Sequence, residues 1–246
     1  MAEQVESVQP LGSAAAVEPV LTTPFEPYAA TCMRNAAVTI VAGRRGTGKT
    51  TTVLDLVQRL VDAYAQGGTD DVTTVVFHPT GDGYGDLPVR TVLDVNWLEQ
   101  HMGQRGPESS PLILVLDQVE CTGFLQSSMA MRLFTSARYL RMHVVVAVAY
   151  VRELSPQLRD DIDVFMLLGD SWDVAVVLRD CFPNADPGLV RDALQTLRRY
   201  DALVSVVESG EVLVDRAIPC ARYTQSIPAH GSVQTPAHAA DCACRD

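Results

Sequence analysis

The sequence predicts an α/β fold, a mostly parallel sheet flanked by helices with a C-terminal β-hairpin. Three observations carry that prediction. The runs Leu112 to Leu116 (LILVL), Val144 to Ala149 (VVVAVA) and Val164 to Leu168 (VFMLL) are continuously apolar, as strands buried on both faces of a parallel sheet must be. Segments with helical spacing of apolar residues alternate with them. A glycine-rich turn joins the first apolar run, Ala37 to Ala42 (AVTIVA), to the first helical segment.

Along the chain, Thr50 to Ala65 carries Val53, Leu54, Leu56, Val57, Leu60, Val61 and Tyr64 at helical spacing, and Gly67 and Gly68 end it. Val72 to His78 predicts a second strand, followed by the turn-rich loop PTGDGYGDLP, of the kind that faces ligands at strand ends. Val95 to Gln104 predicts a short helix, and Leu112 to Leu116 a third strand closing in Asp117. A helix over Phe124 to Tyr139 separates that strand from the fourth, Val144 to Ala149, and Val164 to Leu168 is the fifth. Asp173 to Phe182 and Leu189 to Tyr200 predict helices. Ala202 to Val207 and Val212 to Arg216, joined through Ser209, Gly210 and Glu211, predict the hairpin. Residues 1–35 lack periodicity and read as a disordered N-terminal arm, and 223–246 read as a flexible tail, leaving 36–222 as one folded domain.

At 246 residues the chain can bury one substantial core, and its 47% hydrophobic and 20% charged content is ordinary for globular protein. The longest apolar stretch, Met142 to Val151, is too short to span a bilayer, and the N-terminus lacks a basic segment followed by an apolar one. Neither a membrane nor a secretory route is therefore expected. The net charge of −11 argues against free-standing, charge-driven DNA binding, so any DNA contact must be local. Part of that charge sits in the arm, where residues 1–33 hold Glu3, Glu6, Glu18 and Glu26 and no Lys or Arg. The six cysteines are scattered and read as reduced thiols. His238 with Cys242 and Cys244 is the one hint of a metal site, at a spacing that fits no common zinc template.

Gly43, Arg44, Arg45, Gly46, Thr47, Gly48, Lys49 and Thr50 fit the phosphate-binding pattern GxxxxGK[ST], with a strand before it and a helix after it. The expected fold is thus a P-loop nucleoside triphosphatase of the RecA/ASCE-like kind. In such a loop the backbone amides curl around the phosphates of ATP, Lys49 reaches the β and γ phosphates, and the Thr50 hydroxyl binds Mg²⁺. Thr51 is grouped with the loop as nucleotide-binding. Of the 19 basic residues only Lys49 is a lysine, standing where a compact ammonium fits and a guanidinium fork does not.

Asp117 ends the LILVLD strand, the place of a Walker B carboxylate that holds Mg²⁺ through water. Strand-end acids are common, and it is the pairing with the loop that singles Asp117 out. Hydrolysis also needs a group to orient or deprotonate water. Gln118 stands where a second carboxylate usually does; it can position water but cannot accept its proton, and losing a general base costs about 10²- to 10⁴-fold. Glu120 is the nearest substitute, with a solvated loop acid as the plain alternative. Arg44 and Arg45 could touch nucleotide, DNA or a neighbouring chain.

From Leu112 to Asp170 the text LILVLDQVE and LFTSARYLRMHVVVAVAYVRELSPQLRDDIDVFMLLGD resembles the DNA-packaging ATPases of poxviruses and other nucleocytoplasmic large DNA viruses, within the FtsK/HerA superfamily. After its Walker B strand that family has a helix ending in a Phe-x-x-Gly-Arg-His-like segment, then a buried strand and a Gln-Tyr-Val-like turn. A Pro-x-x-Leu-Arg element and an Ile-Asp-hydrophobic strand follow, and Leu133 to Leu168 keeps this order. With the loop and the hairpin the likeness spans Ala36 to Ala217.

The resemblance implies a homo-oligomeric ring that couples ATP hydrolysis to threading viral double-stranded DNA into a capsid. Its partners would be capsid or portal components, in the host cytoplasm (viral factory) or the virion. The likeness also implies that Arg138, in the place of the family's basic residue after the long helix, acts as an arginine finger across a subunit interface, a role worth about 10³ to 10⁵ in rate. Arg159 is a second candidate, and a surface salt bridge is the plain reading of either. Two departures bear on hydrolysis. Gln118 replaces the family's second acid, and Ala149 precedes Tyr150 where the family has a polar Gln that senses the γ phosphate. The competing function class is therefore a nucleotide-binding, non-hydrolysing assembly paralogue. A GTPase would need a second lysine for its Asn-Lys-x-Asp motif, and a small-metabolite kinase would need lid arginines that are not recognisable here.

Overall fold

The structure is a computed structural model that describes residues 36–69, 71–119, 123–169, 172–182, 185–207 and 211–217. The arm at 1–35, the tail at 223–246, Glu120 and the group of His238, Cys242 and Cys244 lie outside the described residues.

β1 (Val38–Ala42) is wholly buried and leads through the glycine-rich loop into α1 (Lys49–Gln66). The apolar spacing read from the sequence becomes a buried stripe of Val53, Leu54, Leu56, Val57 and Leu60. β2 (Thr73–Phe77) is followed by β3 (Val89–Arg90), which at two residues is too short to leave a periodic signal. α2 (Val95–Gly103) begins where the Asp94 carboxylate accepts hydrogen bonds from the amides of Asn96 and Trp97. β4 (Leu112–Asp117), β5 (Met142–Val148) and β6 (Val164–Leu168) are buried at every position. α3 (Ser128–Ser136) lies between β4 and β5, and the short α4 (Pro156–Arg159) between β5 and β6. α5 (Val174–Asp180) and α6 (Pro187–Thr196) precede the hairpin of β7 (Asp201–Val206) and β8 (Glu211–Arg216).

The strands form one sheet in the order β3-β2-β4-β5-β1-β6-β7-β8, parallel as far as β6 and antiparallel across β6, β7 and β8. Alternation along β4 divides the core in two. Leu112, Leu114 and Leu116 face a layer that includes Leu98 of α2 and Leu133 and Phe134 of α3. Ile113 and Val115 face the layer beneath α1.

Two helices depart furthest from their predicted spans. The segment Phe124 to Tyr139 is a 3-10 turn at Phe124–Gln126 and then α3. Ser127 divides them: it is extended (ψ 157°), and its side chain caps α3 by accepting from the Ala130 amide. The segment Leu189 to Tyr200 starts earlier, at Pro187 behind the Asp186 cap, and stops when Leu197 turns out of the helical region (ψ 128°). Pro at the first helical position and Asp before it are start signals that outrank the apolar spacing.

Candidate nucleotide site

The loop after β1 leaves the sheet at the edge where β1, β4, β5 and β6 all end. The Gly43 amide donates to Val148 O at the end of β5 (3.1 Å), tying the loop to the sheet. Gly43 has no room for a side chain, because an added Cβ would lie 2.5 Å from Thr47 Oγ1. Gly48 takes the left-handed conformation (φ 104°) just before α1, a region glycine enters without steric cost. Thr47 Oγ1 donates to Arg44 O (2.9 Å), and Lys49 Nζ donates to Gly43 O (2.6 Å) and Arg44 O (3.3 Å). The ammonium is thereby held against the loop, where the first amides of α1 add positive potential. An anion is what such a concavity suits.

Asp117 reaches this edge from β4 and is 1% exposed. Its Oδ2 accepts from Tyr84 Oη (2.7 Å) and from Thr50 Oγ1 (3.4 Å). The threonine of the loop and the acid of the buried strand, 67 positions apart, are therefore in contact. Hard oxygen donors of this kind fit Mg²⁺, which keeps several waters and shares phosphate oxygens. Among the described residues no group of three or more His, Cys, Asp or Glu could hold a metal ion by itself. A cation at Thr50 and Asp117 would thus be completed by phosphate and water.

Tyr84 comes from the turn-rich loop after β2 and is fully buried. Burial, and next the charge of Asp117, push its phenol well above the usual tyrosine range, so it remains a donor to the carboxylate. His78 enters from the same loop. Its Nδ1 accepts the Gly81 amide hydrogen (2.9 Å), and its Nε2 lies 2.9 Å from the Gln118 side-chain amide and 3.8 Å from Asp117 Oδ2. Gln118 itself is exposed and sits at φ 57°, a left-handed conformation costly for a residue other than glycine.

The cleft beside the loop has a volume of about 230 Å³. Arg45, Gly46, Thr51 and Gln118 line it with Gly48, Lys49, Thr50 and Asp117. Arg44 is exposed, and its carbonyl braces Thr47 and Lys49. Arg138 does not join the cleft of its own chain. It precedes β5 and pairs with Asp163, which precedes β6, so it lies on the sheet edge opposite the loop. Arg159 pairs with Asp180 (2.9 Å) and donates to Leu154 O (3.1 Å). Ala149, just past β5, brings no polar side chain to the edge.

Sequence reasoning pointed to the loop after β2 without giving His78 or Tyr84 a role in the site, and it missed Arg199 and Tyr200, which also line the cleft. A tyrosine set between Gly81, Gly83 and Gly85 is the signal that was available: three positive-φ glycines fold the loop so that the ring between them is buried.

In sequence the chain matches no family model and no curated protein. In structure it is similar to the genome packaging NTPase B204 of Sulfolobus turreted icosahedral virus 2, solved with AMPPCP. That match has a TM-score of 0.56 at 11% identity and covers 74% of this chain and 98% of that one. The DNA-packaging ATPase B204 of Sulfolobus turreted icosahedral virus matches with a TM-score of 0.54 at 10% identity, covering 75% and 99%. The cytoplasmic domain of the type VII secretion ATPase EccC of Thermomonospora curvata matches with a TM-score of 0.51 at 13% identity, covering 76% of this chain and 24% of that one. At these identities the shared property is the fold, a mixed α/β P-loop ATPase fold.

Proposed function

We propose that the chain is a Mg²⁺-dependent ATPase that works as a homo-oligomeric ring and drives viral double-stranded DNA into a capsid. The observation that carries the reading is the meeting of Thr50 and buried Asp117 at the mouth of a phosphate-binding loop. A fold shared with viral genome-packaging NTPases, one of them solved with a nucleotide analogue, supports it, as does the order of motifs from Leu133 to Leu168. That segment favours the packaging ATPases of large DNA viruses, with capsid or portal components as partners and the host cytoplasm or virion as the place of action. No helix among the described residues is long and apolar enough to cross a membrane.

In this reading the amides from Gly43 to Thr51 and the Lys49 ammonium bind the phosphates, while Thr50 and Asp117 hold Mg²⁺. The metal, when bound, neutralises charge on the phosphoryl oxygens. Tyr84, donating to Asp117, holds that carboxylate in place. Gln118 orients groups near the γ phosphate without taking a proton, and Glu120 is the acid nearest in sequence that could. From the opposite sheet edge Arg138 can serve only a neighbour's site, as a finger acting between subunits must.

The test is ATP hydrolysis by the purified full chain, with and without double-stranded DNA, beside Lys49→Ala. Turnover should rise with DNA and vanish in the variant; an assembled ring that hydrolyses nothing in the presence of DNA would sink the proposal. Gln118 and Ala149 favour a second reading, an assembly protein that binds ATP without turning it over. Under it, Gln118→Glu should give a large gain from a near-silent wild type, whereas brisk wild-type hydrolysis excludes it.

A further inference from the structure

Tyr200 stands on the loop side of the sheet in a conformation that costs energy. Its φ is +71°, in the left-handed region that a bulky side chain rarely enters. The turn that imposes this is pinned on both sides: the Arg198 amide donates to the buried Asp201 carboxylate (2.9 Å), and the Ala217 amide donates to Tyr200 O (3.0 Å). The result is a ring set against the phosphate loop. A Cβ added to Gly48 would lie 2.6 Å from Tyr200 Cδ1 and 3.0 Å from Cε1. The ring is half-buried, and the Arg199 guanidinium lies 5.1 Å from its centroid, itself exposed. Both side chains line the cleft that holds Lys49, Thr50 and Asp117.

The order of the sheet gives the cleft a direction. Asp117 ends β4, two strands from β1 on one side, and Tyr200 leads into β7, two strands from β1 on the other. Thr50 and Asp117 mark the metal-binding, terminal-phosphate end. A nucleotide seated in the loop with that end at Asp117 would extend its nucleoside end away from β4, towards β7. We propose that Tyr200, with Arg199 beside it, is the wall against which the nucleobase stacks. An aromatic face and a guanidinium plane recognise any planar base through its π surface, so this wall selects for a nucleoside over a bare polyphosphate.

The inference rests on the proposed nucleotide site, and one experiment separates the two. Binding of ATP and of inorganic tripolyphosphate is measured by calorimetry for the full wild-type chain and for Tyr200→Asn and Tyr200→Phe. Asparagine tolerates positive φ, so the ring is removed without adding backbone strain. Tyr200→Asn should weaken ATP by about tenfold and leave tripolyphosphate unchanged, and Tyr200→Phe should bind both as the wild type does. Equal weakening of both ligands would mean that the ring only shapes the loop through Gly48, and no change in either would mean that it contacts no ligand; each overturns the inference and leaves the nucleotide site standing. A wild type that binds neither ligand overturns both.

Discussion

At Asp117 a single carboxylate oxygen accepts from two hydroxyls, Tyr84 at 2.7 Å and Thr50 at 3.4 Å, while the residue is almost sealed from water. A buried carboxyl that loses a donor keeps its desolvation cost. Tyr84→Phe should therefore lower stability by about 1–3 kcal/mol in chemical denaturation, and raise the Mg²⁺ concentration needed for half-maximal turnover. His143 makes a separate residue-scale prediction. Burial pulls its pKa from 6.5 down to about 4, where its Nδ1 accepts the Ala37 amide hydrogen (3.3 Å) and its Nε2 meets Tyr64 Oη (2.7 Å). With the folded value depressed, the unfolded chain binds the proton more readily, so this stability is complete above about pH 6.5 and is lost as pH falls towards about 4. Between about pH 7.5 and about pH 5 the loss should be about 2 kcal/mol in urea unfolding, and His143→Gln should flatten that slope.

Among the elements, strands were the most legible, because LILVLD, VVVAVA and VFMLL are short apolar runs of strand length, rich in β-branched residues, as strands buried on both faces are. Helix ends were less so. Phe124 continues the apolar spacing of α3, and only the Ser127 cap separates the two, a local hydrogen bond that periodicity does not record. Ser127→Ala should cost about 1 kcal/mol, read from the unfolding midpoint. Leu133, fully buried in the core layer that also holds Leu112 and Leu114, should cost about 2–5 kcal/mol when replaced by Ala. The loop between β2 and β3 was legible as a ligand-facing turn, but its contents were not. Which of its side chains turns inward depends on the positive φ of Gly81, Gly83 and Gly85, and so on long-range packing that places Tyr84 on Asp117.

For the whole molecule, the GxxxxGK[ST] pattern and the strand-end Asp117 were visible in the text, and folding supplies their contact across the sheet. Tyr200 had no such signal: it is brought to Gly48 by the antiparallel return of β7, 152 positions later in the chain than the loop residue it touches, a distance no local pattern spans. Arg138 lies on the far edge from its own loop, so a finger role belongs to an assembly of copies rather than to one chain. The measurement that bears most directly on a DNA motor is displacement of a third strand from a triplex-tagged double-stranded DNA by the oligomeric protein. A packaging motor releases the third strand when ATP and Mg²⁺ are supplied and fails with Lys49→Ala. Release that is indifferent to ATP, or ATP hydrolysis at a full rate with the triplex left intact, would contradict translocation.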